Sequence, residues 1–267
     1  MYTRITNFIK LLYSYRFIIG SMALQEIKRR YAGTLGGFVW AVIHPLMMII
    51  VYWVVFSVGF KVKPMGDVPF IVVFCCGMIP WMTFSESVTM SANSIIAVPH
   101  LVSKTVFPVG ILPLIQVITG MISHGLMLII LAALLIFNNI SLSFWNLQVF
   151  YYIFALCLFA LGLGWFVAAL NVFYRDLAQI LTVILNIWFW SLPIVWPPNM
   201  VPEKYQFLIK LNPMNYIIEG YRNSFITHTP FWNDAFLGAY FWVVCIVTLL
   251  IGAVVFSKLK SEFAEVI

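Results

Sequence analysis

Few residues in this chain could do chemistry inside an apolar setting, and they lie far apart in sequence. Glu86 is the lone carboxyl group in an otherwise uncharged run from Val68 to Met90, and His124 lies in a second uncharged run. Trp188 and Trp190 sit in the middle of a third, and Arg175 with Asp176 supply the only charges between Lys104 and Glu203. An ionised carboxylate at the centre of a bilayer costs about 2.5–3.5 kcal/mol on insertion scales. Glu86 therefore calls for a sheltered interface position, or for a polar pathway or a basic partner. His124 reads as a neutral, hydrogen-bonded packing residue or as a pore residue. Trp188 and Trp190 could stack flat faces on the C–H faces of sugar rings in a channel, or face lipid. A helix turns by about 100° per residue, so the two rings cannot both face a lumen squarely.

Other chemistry is thinly represented. His44, His100, His124 and His228 fall in separate segments, and neither an HExxH nor a Ser-His-Asp pattern is present. The four cysteines, Cys75, Cys76, Cys157 and Cys245, lie in apolar runs without metal-ligand or disulfide spacing. The sequence also lacks GxxxxGK[ST], the loop that cradles nucleotide phosphates. The expectation is a chain with no catalytic residues, no metal and no cofactor of its own; ATP-driven work would need another polypeptide.

The elements that must hold these residues are membrane helices. The 267 residues are 63% hydrophobic and 9% charged, with a mean hydropathy of +1.00, far too little charge to cover a soluble domain. The formal charge of +6 is spread over the ends of apolar runs instead of forming a patch, which argues against nucleic acid and for topology signals. We expect an all-α, polytopic membrane protein, one transmembrane domain over 1–267, without a cleavable signal peptide. Six spans are expected, at 36–60, 68–90, 109–137, 147–170, 178–196 and 235–257.

Between and before these spans, residues 1–31 mix apolar and basic side chains in a way too polar to span, which predicts an interfacial helix against lipid headgroups. Residues 93–107 form a polar connection with a short helix between two prolines. The run from Asn171 to Pro198 turns at Arg175 and Asp176 and ends in Pro193, Pro197 and Pro198. Residues 199–233 are expected to form two short external or re-entrant helices joined at Asn212–Pro213. With both termini on one side, that side carries ten basic groups, from Arg4 to Lys260, and the other carries Lys61, Lys63, Lys204, Lys210 and Arg222. The positive-inside bias places both termini in the cytoplasm and the chain in the cytoplasmic membrane. Trp40, Trp81, Trp145, Trp196, Trp232 and Trp242 lie near span ends, as an interfacial aromatic belt does.

Three stretches carry a resemblance: LQEIKRRYAGTLGGFVWAVIHPLMMIIVYWVVFSVGF at 24–60, NVFYRDLAQILTVILNIWFWSLPIVWP at 171–197 and VPEKYQFLIKLNPMNYIIEGYRNSF at 201–225. Their order and spacing resemble the permease subunit of bacterial type-2 polysaccharide ABC exporters, which move lipid-linked O-antigen or teichoic acid. Where that family usually has a basic residue and a serine after the Arg-Tyr pair, this chain has Ala32 and Thr34. The resemblance implies a half-transporter that pairs with a second copy of itself and with two ATPase subunits, which bind ATP and Mg. It implies a channel at the dimer interface walled by spans one, two and five, and an external mouth shaped by 201–225. It also implies ATPase contacts through residues 10–31 and 93–107. Within these we expect coupling through Arg29, Arg30, Tyr31, Pro99, His100 and Lys104. Teichoic acid, capsular glycan, drugs and small lipids remain alternative cargoes at this point.

Overall fold

The protein is all helix apart from its connections, and the order of helices follows the apolar runs. The computed structural model describes residues 2–61, 68–103, 107–197 and 200–267. Lys63, Lys104 and Pro198, all used in the sequence reading, lie outside them. Helix α1 covers Tyr2–Tyr31. A 3-10 turn at Gly37–Val39 leads into α2, Trp40–Trp53, which continues as a π-helical turn over Val54–Gly59. Then come α3 (Phe70–Asn93), α4 (Pro99–Ser103), α5 (Ile111–Phe137), α6 (Val149–Phe173) and α7 (Leu177–Ser191). The chain closes with α8 (Glu203–Lys210), α9 (Pro213–Arg222), α10 (Ala235–Leu259) and α11 (Phe263–Val266).

Among the described residues five helices are long and apolar enough to cross a membrane: Trp40–Gly59, Phe70–Asn93, Ile111–Phe137, Phe144–Phe173 and Ala235–Leu259. The sixth apolar helix, α7, differs from the expected span at 178–196. It has 15 residues, about 22 Å at 1.5 Å per residue, and falls short of a hydrocarbon core of about 30 Å. The cause is local. Pro193 disfavours helical geometry at the residue before it, and Leu192 is extended (φ −96°, ψ 141°). Leu192, Ile194 and Val195 stay buried in the non-helical continuation, so hydropathy alone could not show where the helix stops.

Helix α3 is the axis of the bundle, buried along most of its length against α5, α6, α7 and α9. Helices α6 and α10 form the tightest pair. A Cβ on Gly162 would lie 2.8 Å from the backbone nitrogen of Leu249, and one on Gly252 would run into the carbonyl oxygen of Gly162. Only glycines let two backbones come this close. Of the helices long enough to span, α2 is the loosest, with only Ala41 and Ile49 buried.

The second half of α1 lays Ile19 and Ala23 into a buried cluster with Ile111, Ile115, Val172, Phe256 and Phe263, at the end of the bundle where α10 finishes; Ile27 on the same stripe is buried as well. About one turn before this stripe Arg16 stacks over Tyr13 and Phe17, 4.1 and 4.5 Å from the ring centroids. At the far end Asn212 caps α9, its Oδ1 accepting from the Met214 N–H at 3.2 Å, with Pro213 at the first helical position. Met214, Ile217, Ile218 and Tyr221 are fully buried, so α9 belongs to the core and not to a surface loop.

Candidate functional site

The three helices α2, α3 and α7 line an open cleft of about 610 Å³. Each presents one stripe to it, set by helical periodicity. Helix α2 gives Trp40, His44, Met48 and Tyr52; α3 gives Met78, Trp81, Met82, Ser85, Glu86 and Thr89; α7 gives Thr182, Leu185, Asn186 and Phe189. Arg30 from α1 and Ser123 from α5 complete the lining. The wall thus alternates aromatic rings with hydroxyl, amide and imidazole groups, around one ion pair.

That pair is Arg30 with Glu86, a short salt bridge between Nη1 and Oε1. The partner is dictated by the pitch of α1: Ile19, Ala23, Ile27 and Arg30 fall on one stripe, so Arg30 points inward where Arg29 does not. Arg29 instead pairs with Glu26 at 3.0 Å on the exposed side. Glu86 and Arg30 keep 33% and 18% side-chain exposure, so both charges stand at the edge of water. Of the two sequence readings of Glu86, the structure provides a basic partner and a cleft lining together.

His124 lies elsewhere, at the junction of α5, α3 and α9. The Thr83 hydroxyl contacts the Ile79 carbonyl at 3.0 Å and His124 Nδ1 at 2.7 Å, and the Tyr221 hydroxyl contacts Nε2 at 2.8 Å. With the Thr83 proton on the Ile79 carbonyl, His124 carries its proton on Nδ1 and accepts from Tyr221 at Nε2. Burial pushes the Tyr221 phenol well above its ordinary value, which keeps it a donor. One residue on, Arg222 is 4% exposed, and its guanidinium donates to Glu219 and to the Pro193 carbonyl, both at 2.6 Å. Arg222, counted above among the aqueous basic groups of the far side, therefore sits inside the protein.

The tryptophans of α7 part company. Trp188 is half-buried among Trp81, Phe84 and Phe159, and its indole N–H donates to Asn212 Oδ1 at 2.9 Å. Trp190 is 56% exposed and touches Phe189 edge-on. In the single chain the α7 ring that lines the cleft is Phe189. The sequence carried a signal for it: Thr182, Leu185, Asn186 and Phe189 repeat at helical spacing, with two polar members in an apolar run.

Arg175 and Asp176 form the exposed turn between α6 and α7, at the end of the bundle where the second half of α1 packs. Pro99 and His100 open α4 on the same end and are exposed. Tyr31 closes α1. Among the described residues no group of three or more His, Cys, Asp or Glu could hold a metal ion. Cys75, Cys76 and Cys245 are buried free thiols, and Cys157 is half-buried and free.

The sequence is similar to those of several known proteins. The chain is 28% identical over 244 residues to an O-antigen export system permease protein RfbA of Klebsiella pneumoniae, covering 91% of this chain and 92% of that protein. A second Klebsiella pneumoniae protein of the same name is 28% identical over 246 residues, with the same coverage. The protein of that name from Myxococcus xanthus is 30% identical over 257 residues, covering 95% and 96%. The profile of the ABC-2 type transporter family matches residues 19–226, a stretch that holds the inward stripe of α1, all three walls of the cleft and helix α9. The chain belongs to the ABC-2 type transporter family.

Proposed function

We propose that this chain is the permease half of an ATP-driven exporter of lipid-linked polysaccharide in the cytoplasmic membrane. Two copies work with two copies of a separate ATPase that binds ATP and Mg, and both termini face the cytoplasm. The observation that carries the substrate class is the end-to-end similarity to permeases named for O-antigen export. The cleft supports it: flat rings at Trp40, Tyr52, Trp81 and Phe189 suit the C–H faces of sugars, and Ser85, Thr89, Thr182 and Asn186 suit their hydroxyls. The positive-inside bias supports the orientation. Helix α4, with Pro99 and His100, and the connection through Lys104 receive the ATPase together with Arg29 and Tyr31; Arg30 acts through Glu86. The exposed turn at Arg175 and Asp176 lies on the same cytoplasmic face. Trp190 offers its ring to the channel formed with the second copy, and Trp188 shapes the wall from behind.

The test is reconstitution of the permease with its ATPase in vesicles that hold lipid-linked glycan. ATP added outside should drive glycan into the lumen only of vesicles in which both termini face outward. No movement in a complex of confirmed two-plus-two mass would remove the substrate assignment.

The α7 tryptophans give a sharper check. Trp188→Leu loses a hydrogen bond and part of an aromatic cluster, and is expected to lower stability by about 2 kcal/mol. Trp190→Leu is expected to leave thermal unfolding within about 0.5 kcal/mol of wild type while lowering export several-fold. Export at the parental rate from Trp190→Leu would return that ring to lipid.

A further inference from the structure

Helix α6 ends at Phe173 and α7 begins at Leu177, and the side chain that joins them is not in the turn. Asn171, 1% exposed, donates from Nδ2 to the Ala92 carbonyl at 2.9 Å and to Asn93 Oδ1 at 3.3 Å. Its Oδ1 accepts the Ala178 N–H at 3.2 Å. Ala92 belongs to the last turn of α3 and Ala178 to the first turn of α7, where helix geometry leaves carbonyls and N–H groups without internal partners. Asp176 holds the N-cap position of α7 but has helical backbone angles (φ −70°, ψ −14°) and makes no capping bond. One carboxamide therefore caps two helices at once. Only an amide carries donors and an acceptor on one flat group. Aspartate lacks the donor, and an aliphatic side chain lacks both.

We infer that Asn171 is a positioning residue that clasps the last turn of α3 to the start of α7, so that the two move as one body during transport. The inference rests on the export reading above. Beyond Asn93 the loop leads directly to α4, and α7 carries Thr182, Asn186 and Phe189 into the cleft. A push on α4 then reaches the cleft wall through this amide and not only through the distant bundle core.

The test uses the complex with its ATPase. Asn171→Asp keeps the acceptor for Ala178 and removes the donor to Ala92. It is expected to leave assembly and ATP turnover within about twofold of wild type while lowering export about tenfold or more. Export at the wild-type rate from Asn171→Asp overturns the clasp. A second arm leaves Asn171 untouched: Asn93→Cys and Ala178→Cys, in a background with the native cysteines replaced, are joined by a short thiol linker. Export within about twofold of the unlinked protein is expected, because the two points move together; a loss of about tenfold, reversed on cleaving the linker, overturns the clasp. A wild-type complex that moves no glycan counts against the substrate assignment alone. The clasp is then judged by the distance between spin labels at 93 and 178, which should stay constant on nucleotide binding; a nucleotide-driven separation would overturn it.

Discussion

Gly252→Ala is expected to abolish the recovery of folded, monodisperse protein in detergent, whereas Gly125→Ala, in the middle of α5, should leave it unchanged. At Gly252 the added methyl meets the carbonyl oxygen of Gly162, and a Cβ at Gly162 would in turn press on the backbone of Thr248 and Leu249. Backbone on both sides cannot rotate away as a side chain can, so α6 and α10 must separate along their length. Overpacking in a rigid contact costs about 3 kcal/mol or more, a large share of the 5–15 kcal/mol or so that holds a typical domain folded. At Gly125 the new methyl finds nothing within 4 Å, and replacing a helical glycine gains about 0.5–1 kcal/mol. Size-exclusion profiles and thermal unfolding of the two variants decide the matter. Equal behaviour would mean that α6 and α10 are not in backbone contact.

The other large effect is expected at Glu86. Glu86→Arg sets two guanidinium groups against each other, a repulsion of about 4 kcal/mol at 4 Å and an effective dielectric of 20, reduced by the partial exposure of both side chains. Helix α1 should swing away from α3 and export should fall about tenfold or more. The reciprocal pair, Arg30→Glu with Glu86→Arg, restores the attraction with its ends exchanged and should regain a substantial part of the lost export. If Arg30 instead worked by touching the ATPase directly, the exchange would rescue nothing. Export and complex yield measured on the same preparations separate the two.

The sequence made some of this legible and concealed the rest, for reasons that can be named. Composition and run length were enough for the all-helical membrane class, because backbone groups in lipid must be satisfied within each segment. The angular separation of Trp188 and Trp190 was also legible, and the structure places one ring inward and one outward. The end of α7 was not, because Leu192, Ile194 and Val195 continue the hydropathy after Pro193 has stopped the helix. The partners of the isolated polar groups were beyond reach as well. Arg30 and Glu86 are 56 residues apart, and His124 meets Thr83 and Tyr221 at separations of 41 and 97. Such pairings depend on packing between helices, to which no local pattern answers. Asn171 was hidden differently: it reads as the polar start of a turn, while its amide serves the two helices on either side.

The glycine contact between α6 and α10 also has a consequence for biosynthesis. Among the described residues α10 is the last helix long enough to span that leaves the ribosome, and α6 precedes it by the whole of α7, α8 and α9. At roughly 5–20 residues per second, α6 waits for seconds in the membrane with its glycine face uncovered. The bundle cannot be sealed co-translationally from its first spans outward; its tightest joint is closed last. A nascent chain truncated before Ala235 should therefore be a substrate for membrane proteolysis, however complete its cleft.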